Sequence, residues 1–216
     1  MILLLAILPP LLIAYYIYQK DKYDKEPKSL IIKSFLFGCL GIIPAIFLEL
    51  FAEGMFNNLI LYVFIGIALV EEGVKYFFLK KYLFNKPEFN EPMDGIVYAV
   101  MISLGFATVE NIFYVFNHPG QEMQVAIMRM FTAIPLHAAC GVILGYFVGL
   151  AKFSDNKNIL LYKGLFLATL VHGLYNYFIF LEEGWFIFSI IALVVAVYYS
   201  KKAISLHQKD SKQRNL

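Results

Sequence analysis

Residues 58–79 read NLILYVFIGIALVEEGVKYFFL, and they carry Glu71, Glu72 and Lys75 inside an otherwise apolar run. About 20 apolar residues suffice to cross a bilayer as a helix, whereas an ionisable group at the bilayer centre costs about 2.5–3.5 kcal/mol on insertion scales. Whether this stretch is a membrane span with a functional core or an ordinary buried helix depends on the rest of the chain. Of its 216 residues, 60% are apolar and 16% charged, against roughly 45–50% and about 25% in soluble domains. So little polar surface rules out a soluble globule, and a mean hydropathy of +0.68 rules out disorder. Lys plus Arg total 18 against 16 Asp plus Glu, a formal charge of +2, which gives no basic excess of the kind that attracts nucleic acid. The two cysteines, Cys39 and Cys140, both sit in apolar runs and are expected to pack rather than to form a disulfide framework.

The fold class expected is all-α: a single integral-membrane domain, 1–216, built as a polytopic bundle of about seven transmembrane helices. The candidate spans are 2-19, 29-52, 58-79, 94-116, 125-150, 159-181 and 185-200. The first has no basic leading region and no small-residue cleavage site, and it carries Pro9 and Pro10, so it reads as a retained, kinked helix. Lysines and arginines gather in alternate connections: Lys20, Lys22, Lys25 and Lys28; Lys80, Lys81 and Lys86; Lys152 and Lys157; and a tail with Lys201, Lys202, Lys209, Lys212 and Arg214. The other connections have none, which by the positive-inside rule puts the N-terminus outside and the C-terminus in the cytoplasm, as expected of a multi-pass cell-membrane protein.

The polar residues inside spans are Glu71, Glu72, Lys75, Glu110, Asn111, Arg129, His137, His172 and Asn176. Counted at 1.5 Å per residue, four helices place such groups in one slab, which points to a shared interior site. Glu71 and Lys75 are i,i+4 partners, and Glu72 points about 100° away. Lys75 is therefore expected to neutralise one carboxylate rather than both. His172 and Asn176 are also i,i+4, two donors on one face able to hold an oxyanion. Arg129 either snorkels outward or pairs with Glu110. Glu49 and Glu53 read as boundary residues and Asp94 as a helix cap. His118 and His207 have surface explanations. Small residues Gly95, Ala99, Ser103, Ala107 and Asn111 on span four, and Gly141, Gly145 and Gly149 on span five, form stripes that permit close helix contact.

Taken in order, Glu71-Glu72-Gly-Val-Lys75, Met93-Asp94-Gly95-Ile-Val-Tyr98, Ser103-Leu-Gly-Phe106-Ala-Thr-Val-Glu110-Asn111, Arg129 with His137 eight residues on, and His172-Gly-Leu-Tyr-Asn176 resemble the PrsW family. These are bacterial intramembrane proteases related to the type II CAAX prenyl endopeptidases. The similarity runs from Asp21-Lys-Tyr-Asp24-Lys-Glu-Pro27 to the sixth span. The resemblance implies proteolysis by glutamate and histidine, with Glu71 as general base for water and His172 and Asn176 stabilising the oxyanion. It also implies a site-1 protease that makes the first, external cut in a single-pass anti-sigma factor. Where the prenyl endopeptidases have Phe-x-x-x-His, this chain reads Phe106-Ala-Thr-Val-Glu110, so the helper role falls to Glu110 or to His137. Glu72 is either a second acid or the structural partner of Lys75.

Two glutamates and two histidines are also zinc-type ligands. Yet no His-Glu-x-x-His helix is present and Lys75 would compete with a cation, so neither metal nor cofactor is expected. Two other classes fit the same polar residues: a non-catalytic membrane scaffold or chaperone, in which the network serves packing, and a proton-coupled transporter, against which stand the short chain and the lack of inverted repeats.

Overall fold

The computed structural model describes residues 2–181 and 184–214. They form an all-helical bundle of seven helical stretches, which we number α1 (Ile2–Lys20), α2 (Lys28–Glu53), α3 (59–83), α4 (Pro92–Phe116), α5 (Glu122–Lys152), α6 (Lys157–Phe180) and α7 (Phe186–Arg214). Five of them, α1, α2, α4, α5 and α7, are long and apolar enough to cross a membrane. The other two, α3 and α6, are broken up by polar residues. In α3 the helix alternates between α and π winding, with π turns at Tyr62–Leu69 and Leu79–Leu83 around an α segment Val70–Phe78. In α6, Lys163, His172 and Asn176 interrupt the apolar run.

The bundle has a centre and a rim. Within their most apolar windows α4 is 78% buried and α5 72%, whereas α1, α2 and α7 are 22–28% buried. The rim helices turn Leu12, Phe47, Phe51, Val194 and Tyr198 outward, a surface suited to lipid and costly in water. Where α4 crosses α5, a Cβ on Gly95 would collide with the Gly145 carbonyl oxygen and one on Gly145 with that of Gly95. The expected small-residue stripes thus meet backbone to backbone. On its other side α4 meets α2 the same way, through Gly105 against Phe35 and Gly38 against Ile102.

Three sequence expectations are corrected. The fifth span is broken: Glu122–Phe131 and Ala133–Lys152 are separate helical segments, with Thr132 at φ −122° and ψ −74° between them. Pro135 explains this, since it has no N–H for the Phe131 carbonyl and its ring would strike it. The tail after residue 200 is not a loose polar end. It continues α7, with Ile204, His207 and Ser211 buried and Gln208 Nε2 donating to the Lys20 carbonyl at 2.6 Å. His207 is accordingly no surface residue: it stacks on Tyr146, with ring centroids 4.3 Å apart, and its Nε2 lies 2.9 Å from the Tyr146 carbonyl oxygen.

The first connection folds inward as well. Asp21 and Glu26 are buried against the start of α4, where Tyr98 Oη donates to Glu26 and Asn90 Nδ2 to Asp24 (2.8 Å). There Glu91 and Asp94 form a reciprocal capping box, so the capping role expected of Asp94 is met. Burial pushes the Asp21 carboxyl up to about 6 and that of Glu26 up to about 7.

Candidate active site

The α segment of α3 sets Glu71 and Glu72 one turn before Lys75, and all three side chains point inward, each at most 3% exposed. Lys75 Nζ lies 3.1 Å from Glu71 Oε2 and 2.8 Å from Glu72 Oε1. Lysine therefore bridges both carboxylates, contrary to the expectation that it serves one, because the i+3 and i+4 positions flank a single long side chain. Its ammonium also sits 4.4 Å from the Phe106 ring centroid, a cation–π contact contributed by α4.

From Lys75 the network runs in two directions. On one side Nζ is 3.0 Å from His137 Nδ1 on α5. An ammonium can only donate, so Nδ1 accepts and the ring carries its proton on Nε2. That Nε2 donates to Glu110 Oε2 on α4 at 2.8 Å. Arg129 Nη2 donates to the same oxygen at 2.7 Å and its Nε to Asn111 Oδ1, while the guanidinium carbon lies 3.8 Å from the Tyr114 ring centroid. Arg129 thus pairs with Glu110 rather than snorkelling, and the break at Thr132 is what frees its segment of α5 to do so. On the other side Glu72 Oε1 accepts from His172 Nδ1 on α6 at 2.9 Å. The two imidazoles stand edge to face, with centroids 5.2 Å apart and planes at 85°.

One connected chain, Arg129–Glu110–His137–Lys75–Glu71/Glu72–His172, therefore joins four helices. It unites five of the six residues expected from sequence, Glu71, Glu72, Glu110, His137 and His172. The sixth, Asn176, is half-buried one turn beyond His172 and makes no side-chain hydrogen bond within the described residues. Glu110 and His137, alternatives in the sequence, are direct partners. Arg129 and Asn111 belong to the network too, and Pro135 was the signal for the break that brings Arg129 there. The chain is closed at Glu72, which is fully buried, and more open at Glu110 and Arg129, each with 15% of its side chain exposed. Between Glu71 Oε1 and His172 Nε2 is a 4.0 Å gap, too long for a hydrogen bond.

A membrane bundle with carboxylates, imidazoles and an ammonium walled in at its middle has the layout that an intramembrane peptidase needs, a class in which water and a peptide bond meet inside the protein. Residues 26–200 match the family described as PrsW family intramembrane metalloprotease. Among its relatives the chain is 37% identical over 183 residues to Protease PrsW of Geobacillus kaustophilus, covering 83% of this chain and 80% of that protein. To Protease PrsW of Clostridioides difficile it is 36% identical over 205 residues, covering 90% and 86%, and to that of Bacillus subtilis 31% over 210 residues, covering 94% and 95%. The chain belongs to the PrsW family of intramembrane proteases, and it is a multi-pass membrane protein with bacterial relatives. No solved structure matches it.

The family description names a metal, and Glu71, Glu72, His137 and His172 do bring ligand-type atoms within 4.8 Å of one another. The position between them is held by Lys75 Nζ, which already uses an oxygen of each glutamate and the Nδ1 lone pair of His137. A cation among the same atoms would face that ammonium at about 3 Å, a repulsion of roughly 5 kcal/mol per unit charge at an effective dielectric near 20. With Lys75 in this position, the three atoms it engages do not fit a metal ion.

Proposed function

We propose that the protein hydrolyses a peptide bond of a single-pass membrane protein with Glu71 as general base. The observation that carries this reading is the gap between Glu71 Oε1 and His172 Nε2. Glu71 Oε2 is tied to Lys75, while Oε1 has no hydrogen-bond partner among the described residues and is left to take a proton from water. Glu72 is the structural carboxylate, fully buried and shared by Lys75 and His172. Glu71, Glu72 and Glu110 against Lys75 and Arg129 leave one negative charge, which a proton on His172 balances. His172 then presents Nε2–H to the oxyanion, with Asn176 one turn along the same face as second donor. Glu110 and Arg129 act through His137, fixing its tautomer so that it accepts from Lys75.

The open end of the network lies toward the connections that lack lysine and arginine. By the positive-inside rule this is the external side, which supports an external first cut. Resemblance to the family supports an anti-sigma factor as the substrate, with the protein acting as a site-1 protease.

The test is cleavage of a tagged single-pass substrate by purified protein in detergent, with a chelator present, at equal folded concentrations of wild type and Glu71→Gln. Wild type is expected to cut and the variant to be slower by roughly 10²–10⁴-fold, the usual contribution of a general base. Equal cutting by both would remove Glu71 from the role, and cleavage abolished by the chelator and restored by zinc would overturn the metal-free reading.

A further inference from the structure

About 24 Å along α4 from Glu110, reckoned at 1.5 Å per residue, a second group of acids is buried. Asp21, Glu91 and Asp94 each bring a carboxylate oxygen to within 4.8 Å of the others, and their exposures are 0%, 2% and 0%. Glu26, 3% exposed, stands beside them. Capping the helix accounts for part of this arrangement only. Asp94 Oδ2 accepts from the Asn90 and Glu91 amides at 2.8 and 2.7 Å, and Asp21 Oδ2 accepts from the Glu26 amide at 3.0 Å. Those bonds fix each carboxylate by one oxygen. The second oxygens, Asp21 Oδ1 and Asp94 Oδ1, are shielded from solvent and meet no N–H donor among the described residues; Asp21 faces the Glu91 carboxyl and Asp94 that of Glu26.

Asp21, Glu26 and Asp94 make no ion pair with a lysine or arginine among the described residues, and the nearby lysines point elsewhere: Lys25 Nζ donates to Gln19 Oε1 at 3.0 Å and Lys152 Nζ to the Phe84 carbonyl at 2.6 Å. Leaving a buried acceptor unsatisfied costs about 1–3 kcal/mol, more when it is charged. An all-oxygen set of carboxylates held by backbone amides, with spare oxygens converging, suits a hard divalent cation such as Mg²⁺, Ca²⁺ or Mn²⁺.

We propose that Asp21, Glu91 and Asp94, with Glu26 beside them, form a divalent-cation site that ties the connection between α1 and α2 to the start of α4, separate from the catalytic network. The segment 22–25, next to Asp21 in the chain, is exposed and provides the way in. Because α4 also carries Phe106, Glu110 and Asn111, a cation here steadies the helix that supports the active site from its far end.

The experiment strips the full-length protein with a chelator in detergent and titrates Mg²⁺, Ca²⁺ and Mn²⁺ separately, following thermal unfolding of wild type, Asp21→Asn and Glu71→Gln. At least one cation is expected to raise the Tm of wild type and of Glu71→Gln saturably by several degrees, with the apparent affinity at least tenfold weaker in Asp21→Asn. Asp21→Asn keeps the side-chain shape and relieves buried charge, so it is expected to fold, and Mn²⁺ counted by electron paramagnetic resonance should show one tight ion fewer. A flat response to all three cations, a response unchanged in Asp21→Asn, or one lost in Glu71→Gln would each overturn the site. So would a Tm that ignores cations but rises as pH falls in wild type and not in Asp21→Asn, which would assign protons to the cluster.

Discussion

At Lys75 a single ammonium faces two carboxylate oxygens and a ring nitrogen at 3.1, 2.8 and 3.0 Å, with 1% of the side chain exposed. Removing one member of such a buried set leaves uncompensated charge, at about 3–5 kcal/mol. Lys75→Met is therefore expected to lose both cleavage and thermal stability, and combining it with Glu72→Gln should restore much of the stability but none of the cleavage. Equal melting temperatures for wild type and Lys75→Met would show that the ammonium does not hold the glutamates. Asn176 tests the opposite case, a polar side chain that makes no hydrogen bond among the described residues. Asn176→Leu is expected to fold normally and to turn over roughly 10²-fold more slowly if its amide meets the oxyanion; an unchanged kcat would remove it from the mechanism. Residue types and helical spacing marked six candidate residues in the sequence, and the structure joins five of them, Glu71, Glu72, Glu110, His137 and His172, in one network. Their partners were less legible: i,i+3 and i,i+4 spacing allows Lys75 to meet either glutamate, and only packing from Phe106 and His137 holds it between them.

The helices bring these groups together by two devices, close crossings and deliberate breaks. Small residues let α4 lie backbone to backbone on α5, so that Glu110 and His137 face each other. Gly95→Leu would drive a side chain into the Gly145–Gly149 backbone. Neither backbone can yield, and the expected loss is at least the ~1–3 kcal/mol typical of overpacking, read as a lower melting temperature in detergent; a variant as stable as wild type would show that the crossing is looser than described. This stripe was visible in the sequence because its period of four matches one helix face. The break at Thr132 was not, although Pro135 was there to mark it. An apolar run across 125-150 looks continuous to a hydropathy argument, which weighs side chains and ignores the missing N–H. Likewise the π turns of α3 leave no mark in composition, and such turns are frequent at functional sites.

Over the whole molecule, α4 is the buried post around which the other helices stand, and its two ends carry different chemistry: carboxylates capping and converging at Asp94, and the Arg129-clamped Glu110 toward the other end. The C-terminal part of α7 closes the first of these ends through Ile204, His207 and Ser211. Truncation after Ser200 is expected to destabilise the protein by about 2 kcal/mol or more, since burying one isoleucine alone contributes about 1.5–3 kcal/mol; a truncated protein that melts like the full chain would return this segment to the status of a free tail. Composition and periodicity by themselves determined that the chain is an all-helical membrane bundle, where most of its helices run and which polar residues its interior must explain, because a bilayer penalises every charge and every unpaired backbone group. Tertiary structure alone decided who meets whom. Lys75 and His137 are 62 residues apart and Glu72 and His172 are 100 apart; helical spacing fixes the face on which a residue lies, but which faces meet is set by the fit of seven surfaces at once.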